Sequence, residues 1–154
     1  MGYYHWDGIS WTNEPVFTSL LLGHQVWPAL AHPPGGAPRL SFAGNQPVGG
    51  LLWYASRASG SWLTQEPAAR TGGIRHSIAV DDAGISHVAF LDSGTVRYLY
   101  DPDGTASTEV IEEGGAHSAS IAIDPDDTPR VAYATEAGDL RIAHRSEGIW
   151  SFEP

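Results

Sequence analysis

Apolar and polar residues alternate along short stretches of this chain, and clusters of turn-forming residues separate the stretches about every 8–12 positions. In Ala119–Asp124, for example, Ile121 and Ile123 alternate with small or polar neighbours, and an Asp-rich turn then leads into Arg130–Ala134. A period of two is typical of β-strands, whereas an amphipathic helix repeats every 3.6 residues. A sustained helical period is absent, although residues 18–27 could hold one helical turn in place of a loop. The pattern predicts an all-β protein.

One segment of the chain occurs more than once. Ser77–Phe90 (SIAVDDAGISHVAF) returns about 43 residues later as Ser120–Tyr133 (SIAIDPDDTPRVAY), and a more divergent copy begins near residue 24. Each copy reads as four short strands, A to D; in the last copy strand C covers Asp139–Arg145 and strand D begins near Ile149. Repeats of this length are typical of propeller blades. We therefore predict a β-propeller of four-stranded antiparallel blades.

The number of copies does not close a ring. The repeat predicts a half blade with strands C and D at residues 1–17 and full blades at residues 24–70, 74–113 and 117–154. About three and a half blades are fewer than the four that the smallest propellers need, and an open arc exposes apolar faces at both ends. We expect a homo-oligomer, with a dimer closing the ring as one arrangement, or a fragment of a larger propeller.

Several side chains recur at matching places in the copies. Trp follows a Gly-containing turn at Trp11, Trp62 and Trp150, Glu follows that position at Glu14, Glu66, Glu109 and Glu153, and small residues occupy strand A at Ala29, Ala79 and Ala122. Small residues suit a crowded central channel and wide aromatic residues suit the rim. The glutamates lie on different blades, too far apart for an acid/base pair, so we expect them to face solvent or to pair with an Arg on a neighbouring strand.

The combined pattern S-I-A-x-D, P-x-V-A-Y, L-R-x-A and G-x-W-x-x-E resembles the bacterial propeller repeats of the sialidase-like, or BNR, superfamily. The resemblance covers essentially the whole chain and implies a propeller fold. The family's Asp-box, Ser-x-Asp-x-Gly-x-Thr-Trp, is a turn between strands C and D. It is degenerate in the four matching turns, HWDGISW, RASGSW, DPDGTA and RSEGIW. Because Asp-boxes are structural turns in that family, the resemblance implies no activity.

Charge and composition narrow the classes of partner. The chain has 8 basic residues, all of them Arg, against 18 acidic residues, and a net charge of −10. Without a basic stripe we expect neither nucleic acid nor a membrane surface as partner. The absence of Cys excludes a disulfide scaffold and thiolate chemistry. The sequence lacks an apolar run of about 18 residues, and the N-terminal MGYYHWDG does not resemble a signal peptide, so we expect a soluble chain of unknown compartment.

Patterns for catalysis and metal binding are weak. His24, His76 and His117 lie at or just before A strands and could gather near the channel mouth, but they do not share one register. The acidic turns lack the ligand number of a calcium loop. There is no G-x-S-x-G nucleophile motif, and the motifs around sialidase catalytic arginines are absent. We predict no metal and no cofactor, and the sequence identifies no catalytic residue.

Ligand recognition is the function that these residues favour. The loops that join strand D to A and strand B to C surround the channel on one face of a propeller. They supply imidazole, amide, indole and guanidinium groups, and we predict that the ligand-binding residues are His24, Gln25, Trp27, Arg75, His76 and His117. An aromatic face beside hydrogen-bond donors suits a sugar. We predict a non-catalytic module that binds a glycan or a protein and assembles with itself. The alternative is a carbohydrate-active enzyme, a sialidase-like glycoside hydrolase or a polysaccharide lyase, whose site forms only in the closed ring.

Overall fold

The computed structural model describes residues 1–16, 26–44, 50–58, 60–65, 70–71, 75–101 and 107–153. These residues form β-strands and turns, and none of them is helical. The strands are β1 (Gly2–Trp6), β2 (Trp11–Pro15), β3 (Val26–Ala31), β4 (Arg39–Gly44), β5 (Gly50–Ala58), β6 (Ser61–Gln65), β7 (Arg70–Thr71), β8 (His76–Val80), β9 (Ser86–Asp92), β10 (Thr95–Asp101), β11 (Ser107–Glu112), β12 (Ala116–Ile123), β13 (Pro129–Thr135), β14 (Leu140–Ser146) and β15 (Ile149–Phe152). The search of this part of the chain for a helix long and apolar enough to span a membrane finds none.

The strands form four antiparallel sheets in chain order. Sheet 1 is the hairpin β1–β2, and sheet 2 follows the order β3-β4-β5-β6, with the short β7 pairing to β5. Sheet 3 contains β8 to β11 and sheet 4 contains β12 to β15, each as a meander in which consecutive strands pair. Successive meanders that stack face to face make a partial β-propeller. The predicted all-β propeller with four-stranded antiparallel blades is confirmed.

Tight turns set the register of the hairpins. Between β14 and β15 the two turn residues Glu147 and Gly148 have φ angles of 52° and 81°. Two successive positive φ angles are the signature of a type I′ turn, whose twist matches that of the flanking strands. The turn therefore fixes which residues of β14 and β15 lie opposite each other, and Arg145 lies opposite Trp150.

Apolar side chains fill the layer between each pair of successive sheets. Sheets 1 and 2 bury Val16, Leu40, Phe42 and Ala55; sheets 2 and 3 bury Ala43, Leu52, Tyr54, Ile78, Val88, Phe90 and Leu99; sheets 3 and 4 bury Ala89, Leu91, Val96, Tyr98, Ile111, Ala116, Ile121, Val131, Tyr133 and Ala143. Alternate residues of β9 belong to different layers, so sheet 3 is covered on both faces. The core is a row of sheet-to-sheet layers.

Candidate functional site

The predicted ligand-binding residues that the structure describes lie near the starts of the A strands. His24 and Gln25 fall outside the described residues. Trp27 is half-buried on β3, and the half-buried His76 opens β8. Arg75, just before β8, is exposed, and its backbone carbonyl accepts a hydrogen bond from the N–H of Leu91 at 3.3 Å.

His117 is exposed on β12, at a register shift between Ala116 and Ser118. Pro28 lies opposite Phe42 as His76 lies opposite Phe90, so Pro28 shares the register of His76 and Trp27 lies one position earlier. Among the described residues, no group of three His, Asp or Glu side chains lies close enough to hold a metal ion.

A second arrangement of polar and aromatic side chains lies between sheets 1 and 2. The carboxylate of Glu14 on β2 accepts hydrogen bonds from Arg57 Nε and Nη2, both at 2.8 Å, and from the indole Nε1 of Trp62 at 3.2 Å. Tyr3 packs edge-on against Trp62, with ring centroids 5.3 Å apart. These four residues form what we call the first niche. The Arg partner expected for this glutamate is present, but on the next sheet.

The same arrangement recurs between sheets 3 and 4. Glu109 on β11 accepts hydrogen bonds from Arg145 Nε at 3.0 Å and Nη2 at 2.8 Å, and from Trp150 Nε1 at 3.0 Å. Tyr98 packs edge-on against Trp150 at 5.0 Å, and the guanidinium carbon of Arg145 lies 5.7 Å from the centre of the Tyr98 ring. This second niche repeats the atom-to-atom pairing of the first.

Local sequence explains how each niche is assembled. Arg57–Trp62 and Arg145–Trp150 share the spacing R-x-x-G-x-W, in which a tight Gly turn places the Arg opposite the Trp on one face of the sheet. On the preceding sheet, Tyr3 lies opposite Glu14 and Tyr98 opposite Glu109. Two cross-strand pairs from successive sheets therefore face each other in each niche. The R-x-x-G-x-W spacing is the signal by which the niches could have been found in the sequence.

The niches combine charge with access to solvent. The side chains of Glu14, Arg57, Glu109 and Arg145 are between 23% and 34% exposed. Hydrogen bonds from Arg145 hold the pKa of the Glu109 carboxyl below its usual range, and the same contacts raise the pKa of Arg145. At neutral pH the second niche presents a carboxylate, a guanidinium and an indole ring. Such a set can accept and donate hydrogen bonds beside an apolar surface.

A buried network of hydrogen-bonded side chains lies behind Tyr98 of the second niche. The hydroxyl of Tyr98 lies 2.6 Å from Nδ1 of His87, and Nε2 of His87 lies 3.2 Å from the carboxylate of Asp81. Burial lowers the pKa of His87, against the opposing effect of Asp81, and burial raises the pKa of Tyr98. His87 and Tyr98 are closed off from solvent. We assign this network of Asp81, His87 and Tyr98 the role of orienting the Tyr98 ring.

The layer between sheets 2 and 3 has a different polar contact. Gln65 lies opposite Tyr54, as Glu14 lies opposite Tyr3, so Gln65 holds the position that the repeat assigned to Glu66. Glu66 itself lies outside the described residues. The Tyr54 hydroxyl shares a buried hydrogen bond of 2.7 Å with the hydroxyl of Ser86. The polar contact between Tyr54 and Ser86 is therefore neutral, and Gln65 takes the position at which each niche has a glutamate.

Glu153 occupies the matching position on sheet 4. Its N–H donates to the carbonyl of Ile142 at 2.9 Å, and its carboxylate forms an ion pair with Arg130 of the same sheet. With Leu140, Ile142 and Phe152 of sheet 4 and Glu112 of sheet 3, it lines a surface concavity of about 650 Å³.

Comparison with known proteins agrees with the propeller fold. No family model and no curated protein sequence matches the chain, so the resemblance to sialidase-like repeats stays a prediction. The crystal structure of AofleA from Arthrobotrys oligospora is similar, with a TM-score of 0.64 and 16% identity over 97% of this chain and 48% of that one. A fucose lectin from Kordia zhangzhouensis in complex with methyl-fucoside is similar with a TM-score of 0.52 and 16% identity, over 82% of this chain and 97% of that one. The chain shares their fold and spans about half the length of AofleA.

Proposed function

We propose that this chain is a non-catalytic propeller module that binds glycans in the first and second niches. The observation that carries the proposal is the repetition of one set of four side chains, Tyr, Glu, Arg and Trp, at two separate interfaces. A sugar offers hydroxyl groups that can donate to the carboxylate and accept from the guanidinium, and its C–H face can pack on an indole ring. The fucose lectin with the same fold supports a sugar as the class of ligand.

The ion pairs of the niches contribute little to stability, so a purely structural role does not explain why the set of Tyr, Glu, Arg and Trp recurs. Partly exposed ion pairs contribute only about 0.2–1 kcal/mol to stability, whereas each layer is already stabilised by buried apolar side chains. Arg141 makes such a structural ion pair: its Nη1 donates to Glu112 at 2.7 Å across the same two sheets as the second niche. Arg141 is therefore a natural comparison for Arg145.

The test is a glycan array probed with the wild-type chain and with three variants. We expect binding to be lost in the double variant Arg57→Ala/Arg145→Ala and halved in stoichiometry in Arg145→Ala, because each niche loses its guanidinium. Arg141→Ala is the matched control and should bind as the wild type does. Equal binding by all variants would place the sugar elsewhere, for which the predicted ligand-binding residues His24, Gln25, Trp27, Arg75, His76 and His117 are the next candidates.

We further propose that copies of the chain associate through their end faces. Leu140 and Phe152 on sheet 4, and Trp6 and Trp11 on sheet 1, are large apolar side chains that stay exposed. Faces of this kind favour association. Light scattering of the isolated chain should give a mass above that of one copy, and a monomer at all concentrations would contradict the assembly without affecting the niches.

The enzymatic alternative is a glycoside hydrolase or a polysaccharide lyase. Most glycoside hydrolases use two cooperating carboxyl groups, one of them with a raised pKa, and sialidases use a Tyr nucleophile. Each niche has one carboxylate; in the second niche Arg145 lowers the pKa of Glu109, which disfavours it as an acid, and burial raises the pKa of Tyr98, which disfavours it as a nucleophile. Incubating the bound glycans with the chain and analysing them by mass spectrometry should therefore reveal no cleavage product.

A further inference from the structure

An exposed leucine marks one end of the sheet row. Leu30, Ile78 and Ile121 hold equivalent positions on the A strands, since they lie opposite Leu40, Val88 and Val131 on the B strands. Ile78 is 8% exposed and Ile121 is 7% exposed, but Leu30 is 54% exposed. The three side chains have similar chemistry, so the difference comes from what covers them.

The A and B strands of the preceding sheet pack over Ile78 and over Ile121. Ile78 packs in one cluster with Ala29, Ala31 and Ala43 from β3 and β4, which are A and B strands. Ile121 is covered in the same way by the A–B hairpin of sheet 3. Sheet 1 precedes Leu30, and its described residues form a C–D hairpin without A and B strands. Leu30 is therefore exposed because its A–B hairpin is missing from the described part of the chain.

Among the described strands only β2 pairs with β1, so the opposite edge of β1 is available to such a hairpin. The carbonyl of Met1 accepts from the N–H of Val16, and the N–H of Asp7 donates to the carbonyl of Ser10. In an antiparallel pair the hydrogen-bonded residues alternate, so the odd-numbered residues of β1 bond to β2. The N–H and C=O groups of Gly2, Tyr4 and Trp6 consequently point away from β2. In the other three sheets the C strand uses this edge to pair with a B strand.

A groove lies beside this edge. It has a volume of about 250 Å³ and is lined by Met1, Gly2, Tyr3, Tyr4, Pro28, Leu30 and Leu40. None of these lining residues carries a charged side chain, although the chain as a whole has a net charge of −10. The groove therefore suits small apolar side chains like those that cover Ile78.

We propose that this groove binds an A–B β-hairpin of the same repeat. Its B strand pairs with the free edge of β1, and its small side chains cover Leu30. The sheet 4 hairpin, Ala116–Thr135, has the required chemistry: Ile121, Val131 and Tyr133 face sheet 3, so alternation turns Ala122, Ala132 and Ala134 to the opposite face.

The repeat also predicts the register of the bound hairpin. Tyr3 matches Ile142, because Tyr3 lies opposite Glu14 and Ile142 accepts from the N–H of Glu153. Val131 lies opposite Ala143, the residue after Ile142. The strand equivalent to β13 therefore places its Val131 opposite Tyr4, and the alanines on the other face of that strand lie over Leu30.

The test uses a fluorescent peptide with the sequence of residues 116–135, titrated with the full chain. We expect saturable binding, no binding of a scrambled peptide, and slower hydrogen exchange at Gly2, Tyr4 and Trp6 in the complex. Leu30→Glu, which puts a charge in the groove, and Tyr4→Pro, which removes an edge N–H but no backbone hydrogen bond to β2, should each weaken binding at least tenfold. Leu63→Glu is the control, since Leu63 is equally exposed on the D strand of the same sheet.

Two results would overturn the proposal. One is the absence of saturable peptide binding by the folded wild-type chain, or equal binding by Leu30→Glu and Leu63→Glu. The other is self-association of the wild-type chain that Leu30→Glu abolishes and that excess peptide leaves unchanged, which would make another face of a second copy, and not a hairpin, the occupant. Thermal melting of each variant separates loss of folding from loss of binding. Glycan binding by the niches is measured independently, so either proposal can fail without the other.

Discussion

The interface between sheets 3 and 4 and the interface between sheets 2 and 3 come from the same repeat, but they differ at their polar contacts. The first carries the partly exposed ion pair of Glu109 and Arg145, and the indole of Trp150 donates to the same carboxylate. The second carries the buried hydroxyl pair of Tyr54 and Ser86. Apolar packing is common to both, so the comparison separates what stabilises the row of sheets from what is available to a ligand.

Breaking the middle layer should have the largest effect on stability. Phe90 is fully buried between sheets 2 and 3, and Phe90→Ala should lower the free energy of unfolding by about 3–5 kcal/mol because it leaves a cavity. Urea unfolding followed by tryptophan fluorescence measures this loss. If Phe90→Ala proved no more destabilising than Arg145→Ala, the assignment of stability to the apolar layers would be wrong.

The buried hydroxyl pair should give an intermediate effect. Tyr54→Phe removes one partner and leaves the Ser86 hydroxyl buried without it, so we expect a loss of about 1–3 kcal/mol. The double variant Tyr54→Phe/Ser86→Ala removes both polar groups and should be more stable than the sum of the single variants implies. A double-mutant cycle measured by urea unfolding gives the coupling energy, and a value near zero would contradict the hydrogen bond.

The ion pair of the second niche should contribute less to the free energy of unfolding, and its contribution should depend on pH. Arg145→Ala loses a partly exposed ion pair and a cation–π contact, each worth about 1 kcal/mol or less. Because the pKa of Glu109 is lowered in the folded chain, the stabilisation by Arg145 is present above the unfolded glutamate pKa of about 4.3. It is lost as the pH falls through the folded pKa.

The stability difference between wild type and Arg145→Ala should therefore be constant near neutral pH and shrink towards pH 3. Unfolding curves for both chains at pH 7 and at pH 3 test this, with Arg39→Ala as a control because Arg39 bonds to backbone carbonyls. A difference that grew on acidification would reverse the sign and contradict the ion pair.

The strands were predictable because their signal is local. Alternation around Arg130–Ala134 predicted a strand that the structure extends to Pro129–Thr135. The niches were not predicted as sites, because Arg57 reaches Glu14 across 43 residues and two sheets. Only the stacking of sheets brings such pairs together, and the expected Glu66 shows how one extra residue between Trp62 and the glutamate shifts the register. The predicted ligand-binding residues Trp27, His76 and His117 lie near the starts of A strands, where irregularities such as the register shift between Ala116 and Ser118 are not visible in the local sequence pattern.

The smallest change in stability should come from exchanging Glu and Gln at the D-strand position that is Glu14 in the first niche and Gln65 in the middle interface. Glu14→Gln keeps the shape of the side chain and removes the charge that pairs with Arg57, whereas Gln65→Glu adds a carboxylate where the middle interface has none. Both residues are on D strands near the surface, so each variant should unfold within about 0.5 kcal/mol of the wild type. Sugar binding should nevertheless fall by one site in Glu14→Gln and stay unchanged in Gln65→Glu, because β10 has Asp101 at the place that Arg57 and Arg145 take on their sheets. Calorimetric titration with the best glycan of the array counts the sites, and a new site in Gln65→Glu would mean that the carboxylate alone, without guanidinium and indole, defines the niche.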